Sequence, residues 1–174
     1  MKSLLAAALL ALAAMAPLRH APVPPPDYSG AWTLDKARST GLPPFYSGVR
    51  GHRLAVAQTD ARLTVDVEID EGRAEPARFN FVYALDGTET STTSRVRTPN
   101  GMMDIPTRLR AAHGDDGRLH ITITRELPRG GETVIATGSE AWELSADGHT
   151  LTVHRVDQMP GGGEMRSEMV FTRG

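Results

Sequence analysis

The chain has 174 residues, no cysteine, and a formal charge of -2 from 19 basic and 21 acidic side chains. That length suits one domain, and the missing cysteine removes disulfides, thiolate metal sites, a thiol nucleophile and lipoprotein attachment. The near-neutral balance, with no run of like charge and no basic stripe among aromatics, gives a nucleic-acid partner no support.

In chain order, Met1-Lys2 is a short positive region, and Leu4 to Met15 is apolar and alanine-rich. The run is too short to span a bilayer and is followed by small residues, so residues 1–21 are expected to be a secretory signal peptide cut between Ala13 and Ala21. The alternative is an uncut N-terminal anchor. A Pro-rich linker is expected over 22–27 and a single folded domain over 28–174, which places the protein in the periplasm or outside the cell.

From Gly30 onward the hydrophobic pattern has period two. Leu63, Val65, Val67 and Ile69 share one face of RLTVDVEID, and Phe79, Phe81, Tyr83 and Leu85 share one face of ARFNFVYAL. Leu119, Ile121 and Ile123, then Leu151 and Val153, then Met165, Met169 and Phe171 continue it. Such alternation marks half-buried antiparallel strands. Strands are predicted at 30–34, 51–58, 61–69, 77–85, 89–97, 106–113, 118–125, 132–144, 150–157 and 165–173. Asp86-Gly87, Asp116-Gly117 and Asp147-Gly148 supply tight turns between them. The expected fold is therefore all-β, an antiparallel up-and-down barrel of about eight to ten strands. Asp66, Glu68, Arg78, Glu143 and Arg166 on the outer faces exclude a barrel bathed in lipid.

The connections divide by parity. Those at 59–60, 86–88, 114–117 and 146–149 are short and polar, whereas 41–48, 71–76, 99–106, 128–131 and 158–165 hold apolar or glycine-rich stretches. In a meander, alternate connections gather at one end, so this pattern predicts one closed end and one mouth. Trp32 starts the first strand at the closed end, and Arg173 ends the last strand there in phase with Phe171, so the two are expected to stack as the barrel floor.

Gly30-Ala31-Trp32 opening the first strand, with Arg173 closing the last, resembles the lipocalin pattern of the calycin superfamily. SGAWTLDKARS, YALDGTET and WELSADGHTLTV are also similar to phrases in small secreted bacterial proteins described as lipocalin-like. The resemblance implies carriage or sequestration of a small apolar ligand. Ten strands are closer to the fatty-acid-binding branch than to the eight-stranded lipocalins.

Candidate ligand contacts follow from the strand phases. Arg125 and Arg155 each end a strand at the mouth, in phase with Ile123 and Val153, and a pair of guanidinium groups there suits a carboxylate. Alternatively both point into water, or Glu132 neutralises one. Phe45, Tyr46, Met102, Met103, Ile105, Met159 and Met165 would form an adaptable portal or fold back as loop anchors. Val65, Val67, Phe79, Phe81, Tyr83, Ile121 and Val153 would form the walls, Tyr83 serving either as ligand contact or as a core tyrosine. His52, His113, His120, His149 and His154 show no metal-ligand spacing, and no nucleophile motif surrounds a serine. No metal or cofactor is expected.

Three functions fit these features: a binding protein for a small apolar, anionic, lipid-like molecule; an isomerase or hydrolase using the same cavity; and a ligand-free envelope interaction module. Polar groups converging at mid-barrel would favour the enzyme. A filled core would favour the module.

Overall fold

A computed structural model describes residues 24–73, 75–98, 101–158 and 160–174. The expected leader and the first part of the linker lie outside the described residues.

The chain forms ten strands: β1 (Gly30–Leu34), β2 (Gly51–Gln58), β3 (Arg62–Asp70), β4 (Ala77–Ala84), β5 (Thr90–Thr98), β6 (Gly101–His113), β7 (Leu119–Arg129), β8 (Glu132–Leu144), β9 (Thr150–Gln158) and β10 (Glu164–Arg173). A 3-10 turn, Pro44–Ser47, lies in the connection from β1 to β2. All ten strands belong to one antiparallel sheet ordered β4-β3-β2-β1-β10-β9-β8-β7-β6-β5. The meander is thus unbroken except that β1 and β10, the ends of the folded chain, pair in the middle. The sheet curls until β4 faces β5 without a ladder between them. At this seam the Thr90 hydroxyl donates to the Val82 carbonyl at 3.0 Å, and the Gly87 N–H donates to the Ala111 carbonyl at 3.0 Å. The result is an up-and-down barrel, nearly closed and compatible with a calycin-like fold.

The strands follow the period-two pattern because the inward faces are largely apolar and the outward faces largely polar. Arg53 and Arg78 both reach Glu68 across the outer faces of β2, β3 and β4. Inside, Tyr28, Trp32, Leu63, Leu119, Ile121, Leu151 and Phe171 are almost wholly buried and fill the closed half. Tyr28, just before β1, folds across this end: its hydroxyl donates to the Trp142 carbonyl at 3.0 Å and its ring meets Trp142 edge-on.

The rim differs from the expectation. The stretches 99–106 and 128–131 are not long mouth loops, because β6 begins at Gly101 and β7 runs to Arg129. Pro106 invites a strand start because proline cannot donate to a ladder, yet it pairs with Thr93 inside β6. Its effect shows on the other side. The β6–β7 ladder stops at Thr107 opposite Arg125, and beyond that β6 pairs with β5 and β7 with β8. Met102 and Met103 accordingly lie in β6, opposite Arg97 and Val96, rather than in a loop.

Candidate functional site

The open half of the barrel encloses a cavity of about 440 Å³. Val65, Val67, Phe79, Phe81, Tyr83 and Val153, all expected as walls, line it, and so does Met165. Ile121 is packed in the solid core below. Ile105, buried in β6, is likewise absent from the lining. Phe45, 56% exposed, and Tyr46, buried, reach the cavity from the 3-10 turn. Met159 lies outside the described residues, Met102 is placed by its backbone alone, and Met103 is half-buried outside the lining. Of the expected portal methionines whose side chains are described, Met165 joins the lining and Met103 does not.

Trp32 does not floor the cavity; Trp142 does. Trp32 lies in the packed end, where its indole N–H donates to the Tyr28 carbonyl at 2.9 Å. Directly across the β1–β10 ladder, the Arg173 guanidinium carbon sits 4.4 Å from the Trp32 ring centre. Arg173 is fixed by hydrogen bonds to the Gly148 carbonyl at 2.8 Å and the Ser29 carbonyl at 2.7 Å. Gly30 makes room for this arrangement: its φ is +140°, and a Cβ there would stand 2.6 Å from Arg173 Nη1. The Gly-Ala-Trp triplet thus has a steric cause.

The charged side chains of the cavity gather on one wall. On β7, β8 and β9 the inward phase brings Arg125, Gly138, Glu140, Arg155 and Asp157 to the lining. Arg155 and Arg125 lie along their strands inside the barrel rather than ending them at the rim, since β7 and β9 continue to Arg129 and Gln158. Arg155 donates through Nε and Nη2 to the two oxygens of Asp157, both at 2.7 Å, and through Nη1 to Glu140 Oε1 at 2.7 Å. The second Glu140 oxygen accepts from the Trp142 indole at 2.9 Å. Glu132, the neutraliser in the alternative reading, is exposed at the start of β8 opposite Arg129. Burial works against the Arg155 charge, but the Asp157 hydrogen bonds and the Glu140 and Asp157 charges outweigh it and hold its pKa above the ordinary value. Both carboxylates accept hydrogen bonds from this fork.

Arg125 is the contrast. Among the described residues no carboxylate or carbonyl accepts from it, and its Nε is buried without a partner. Burial, then repulsion from Arg155, lowers its pKa, with Asp157, Glu140 and Tyr83 opposing. The Tyr83 hydroxyl also has no hydrogen-bond partner among the described residues, although the residue is only 3% exposed. Burial raises the Tyr83 pKa, keeping it a neutral donor. The Ser94 hydroxyl faces the same space and is held 2.9 Å from that of Thr107.

Nearby, His52 Nδ1 and the Tyr46 hydroxyl are 2.9 Å apart. His52 is 7% exposed, and its ring meets Phe171 edge-on. Burial, helped by the Arg155 charge, pushes its pKa down to about 4, so the imidazole is neutral at physiological pH. The tyrosine is pushed up to about 12 by burial. His120 and His154 lie on the outside beside Asp116 and Glu143, and no three metal-ligating side chains come together among the described residues.

Sequence reasoning found Arg125, Arg155 and Tyr83 but missed Glu140, Asp157 and His52 as parts of the lining. The same alternation held the signal, because Asp157 is in phase with Arg155 and Glu140 with Trp142. Chemically, the arrangement offers an open cation and a neutral donor inside an apolar chamber. No known protein-family pattern and no curated protein matches the chain.

Proposed function

We propose that this is a binding or carrier protein of the lipocalin-like calycin type, acting in the periplasm or outside the cell after loss of residues 1–21. Its ligand is a small apolar molecule ending in a carboxylate. The observation that carries this reading is Arg125 with Tyr83: among the described residues neither the guanidinium nor the hydroxyl has a hydrogen-bond partner, and Val67, Phe79 and Phe81 wall the same cavity. The Arg125 Nε is buried without a partner, which is destabilising, and a ligand carboxylate would supply an acceptor to it and to the Tyr83 hydroxyl. A cavity of about 440 Å³ is within the usual range for small-molecule sites.

The enzyme reading draws on a different observation, the convergence of polar side chains at mid-barrel. Glu140 and Asp157 are engaged by Arg155, so the proton-transfer candidate is the Tyr46–His52 pair. The interaction-module reading requires a filled core, and the cavity gives it little support. Binding of an environment-sensitive fatty-acid probe tests the proposal. Micromolar affinity is expected, and Arg125→Ala should weaken an anionic probe at least about tenfold more than a neutral one, the loss of one charge-assisted contact. Equal loss for both probes makes Arg125 structural, and no binding by wild type ends the carrier reading.

A further inference from the structure

Arg125 and the Arg155 fork lie on the same inner wall but do not complement each other. Arg125 on β7 is opposite Ala136 on β8, and Asp157 on β9 is opposite Gly138, two residues further along the same face of β8. The strip between the two charged groups is therefore floored by the smallest side chains available. Gly138 has room only for hydrogen: a Cβ would stand 2.8 Å from Asp157 Oδ1 and 3.5 Å from Arg155 Nη2.

The hydrogen-bond inventory is lopsided across this strip. Arg125 brings about five N–H donors with no described acceptor, beside the unpartnered Tyr83 hydroxyl. On the far side each oxygen of Glu140 and Asp157 accepts one bond, leaving about four lone-pair positions in all. The two arginines and two carboxylates already sum to zero charge. A plain carboxylate arriving at Arg125 leaves those lone pairs unanswered and adds a third anion to a desolvated wall.

We infer that the ligand's head carries a hydrogen-bond donor close to its carboxylate, a hydroxyl or an amide N–H that lies over Ala136 and Gly138 and donates to Asp157 or Glu140 while the carboxylate sits on Arg125 and Tyr83. The ligand class is thus a hydroxylated or N-acylated amphiphilic acid rather than a simple fatty acid. The inference rests on the carrier reading above. It makes Asp157 a specificity-determining residue in addition to a partner of Arg155, and it gives Gly138 a second role besides admitting the Asp157 and Arg155 side chains.

The test is displacement of the fluorescent fatty-acid probe by dodecanoic acid, 3-hydroxydodecanoic acid and N-dodecanoylglycine. Wild type is expected to prefer at least one of the donor-bearing acids over dodecanoic acid by about tenfold, the usual scale for a hydrogen bond to a charged group. In Asp157→Asn and, separately, in Gly138→Ala, that preference should shrink to within about threefold while dodecanoic acid still displaces the probe. Thermal melts of both variants check that the barrel remains folded, and the glycine variant retains every charged side chain, displacing Asp157 rather than neutralising it, should the asparagine variant fail to fold. Equal displacement by all three acids in wild type overturns the inference and leaves the carrier reading standing. So does a preference that survives both substitutions. If none of the three acids, nor the probe, binds wild type, the carrier reading falls and this inference falls with it.

Discussion

Replacing His52 by glutamine should flatten a specific part of the pH dependence of stability. In the folded protein the imidazole is 7% exposed, hydrogen-bonded to Tyr46 and close enough to Arg155 to feel its charge, and its pKa is pushed from 6.5 down to about 4. In the unfolded chain it titrates near 6.5. Between these values the unfolded state holds a proton that the folded state does not, so stability falls as pH drops below about 6.5, by about 1.4 kcal/mol per pH unit, and levels off near 4. Over the whole window the loss is about 3 kcal/mol, a large part of a typical domain's stability. His113, whose pKa is also lowered by burial, acts in the same direction, and the carboxylates of Asp86, Asp104, Asp116 and Asp147, already depressed, act below it. The assay is therefore a difference: urea unfolding followed by far-UV circular dichroism, at half-unit steps from pH 7.5 to 4, for wild type and His52→Gln. The gap between the two curves should change by about 3 kcal/mol, the wild type losing more on acidification. Parallel curves would refute the assignment of a buried neutral imidazole.

Two further substitutions probe the closed end. Arg173→Ala removes a stacked cation and hydrogen bonds to two backbone carbonyls, and should destabilise by about 2 kcal/mol with a shift in Trp fluorescence, read in a Trp142→Phe background. Gly30→Ala should cost about 1–3 kcal/mol from its positive φ and displace the same guanidinium; an unchanged melting temperature for either variant would contradict this account of the triplet.

Most of the strand pattern was legible because inward and outward residues differ sharply in polarity, so period two survives along β3, β4, β7 and β9. The strand ends were less so. Pro106 and Pro128 suggest edges, but each lies in a strand segment that pairs on one side only, where a missing N–H is tolerated. Within the site, alternation put Arg125 and Arg155 on the inner face and identified neither one's partner. Whether Arg155 meets Glu132 or Glu140 depends on the β8–β9 register, which sets Glu140 directly opposite it. That register is a non-local property. His52 shows the same limit, since its neutrality comes from Tyr46, Phe171 and Arg155, drawn from three separate parts of the chain.

The pairing of β1 with β10 also governs how the barrel is assembled in time. Every other ladder joins strands that follow one another in the chain, but Trp32 must find Arg173 across almost the whole domain. Two meanders, β1 to β4 and β5 to β10, can each zip locally, and the closure entropy falls on the one long-range encounter between them. The Gly174 N–H bonds the Ala31 carbonyl at 2.9 Å, so the folded chain's ends already adjoin, while the break in the sheet coincides with the Asp86-Gly87 turn. Joining the ends by a short linker and opening the chain at that turn would make strand order in sequence identical to strand order in the sheet. The one distant ladder would become a hairpin, and folding should accelerate while the cavity wall formed by β7, β8 and β9 is left untouched.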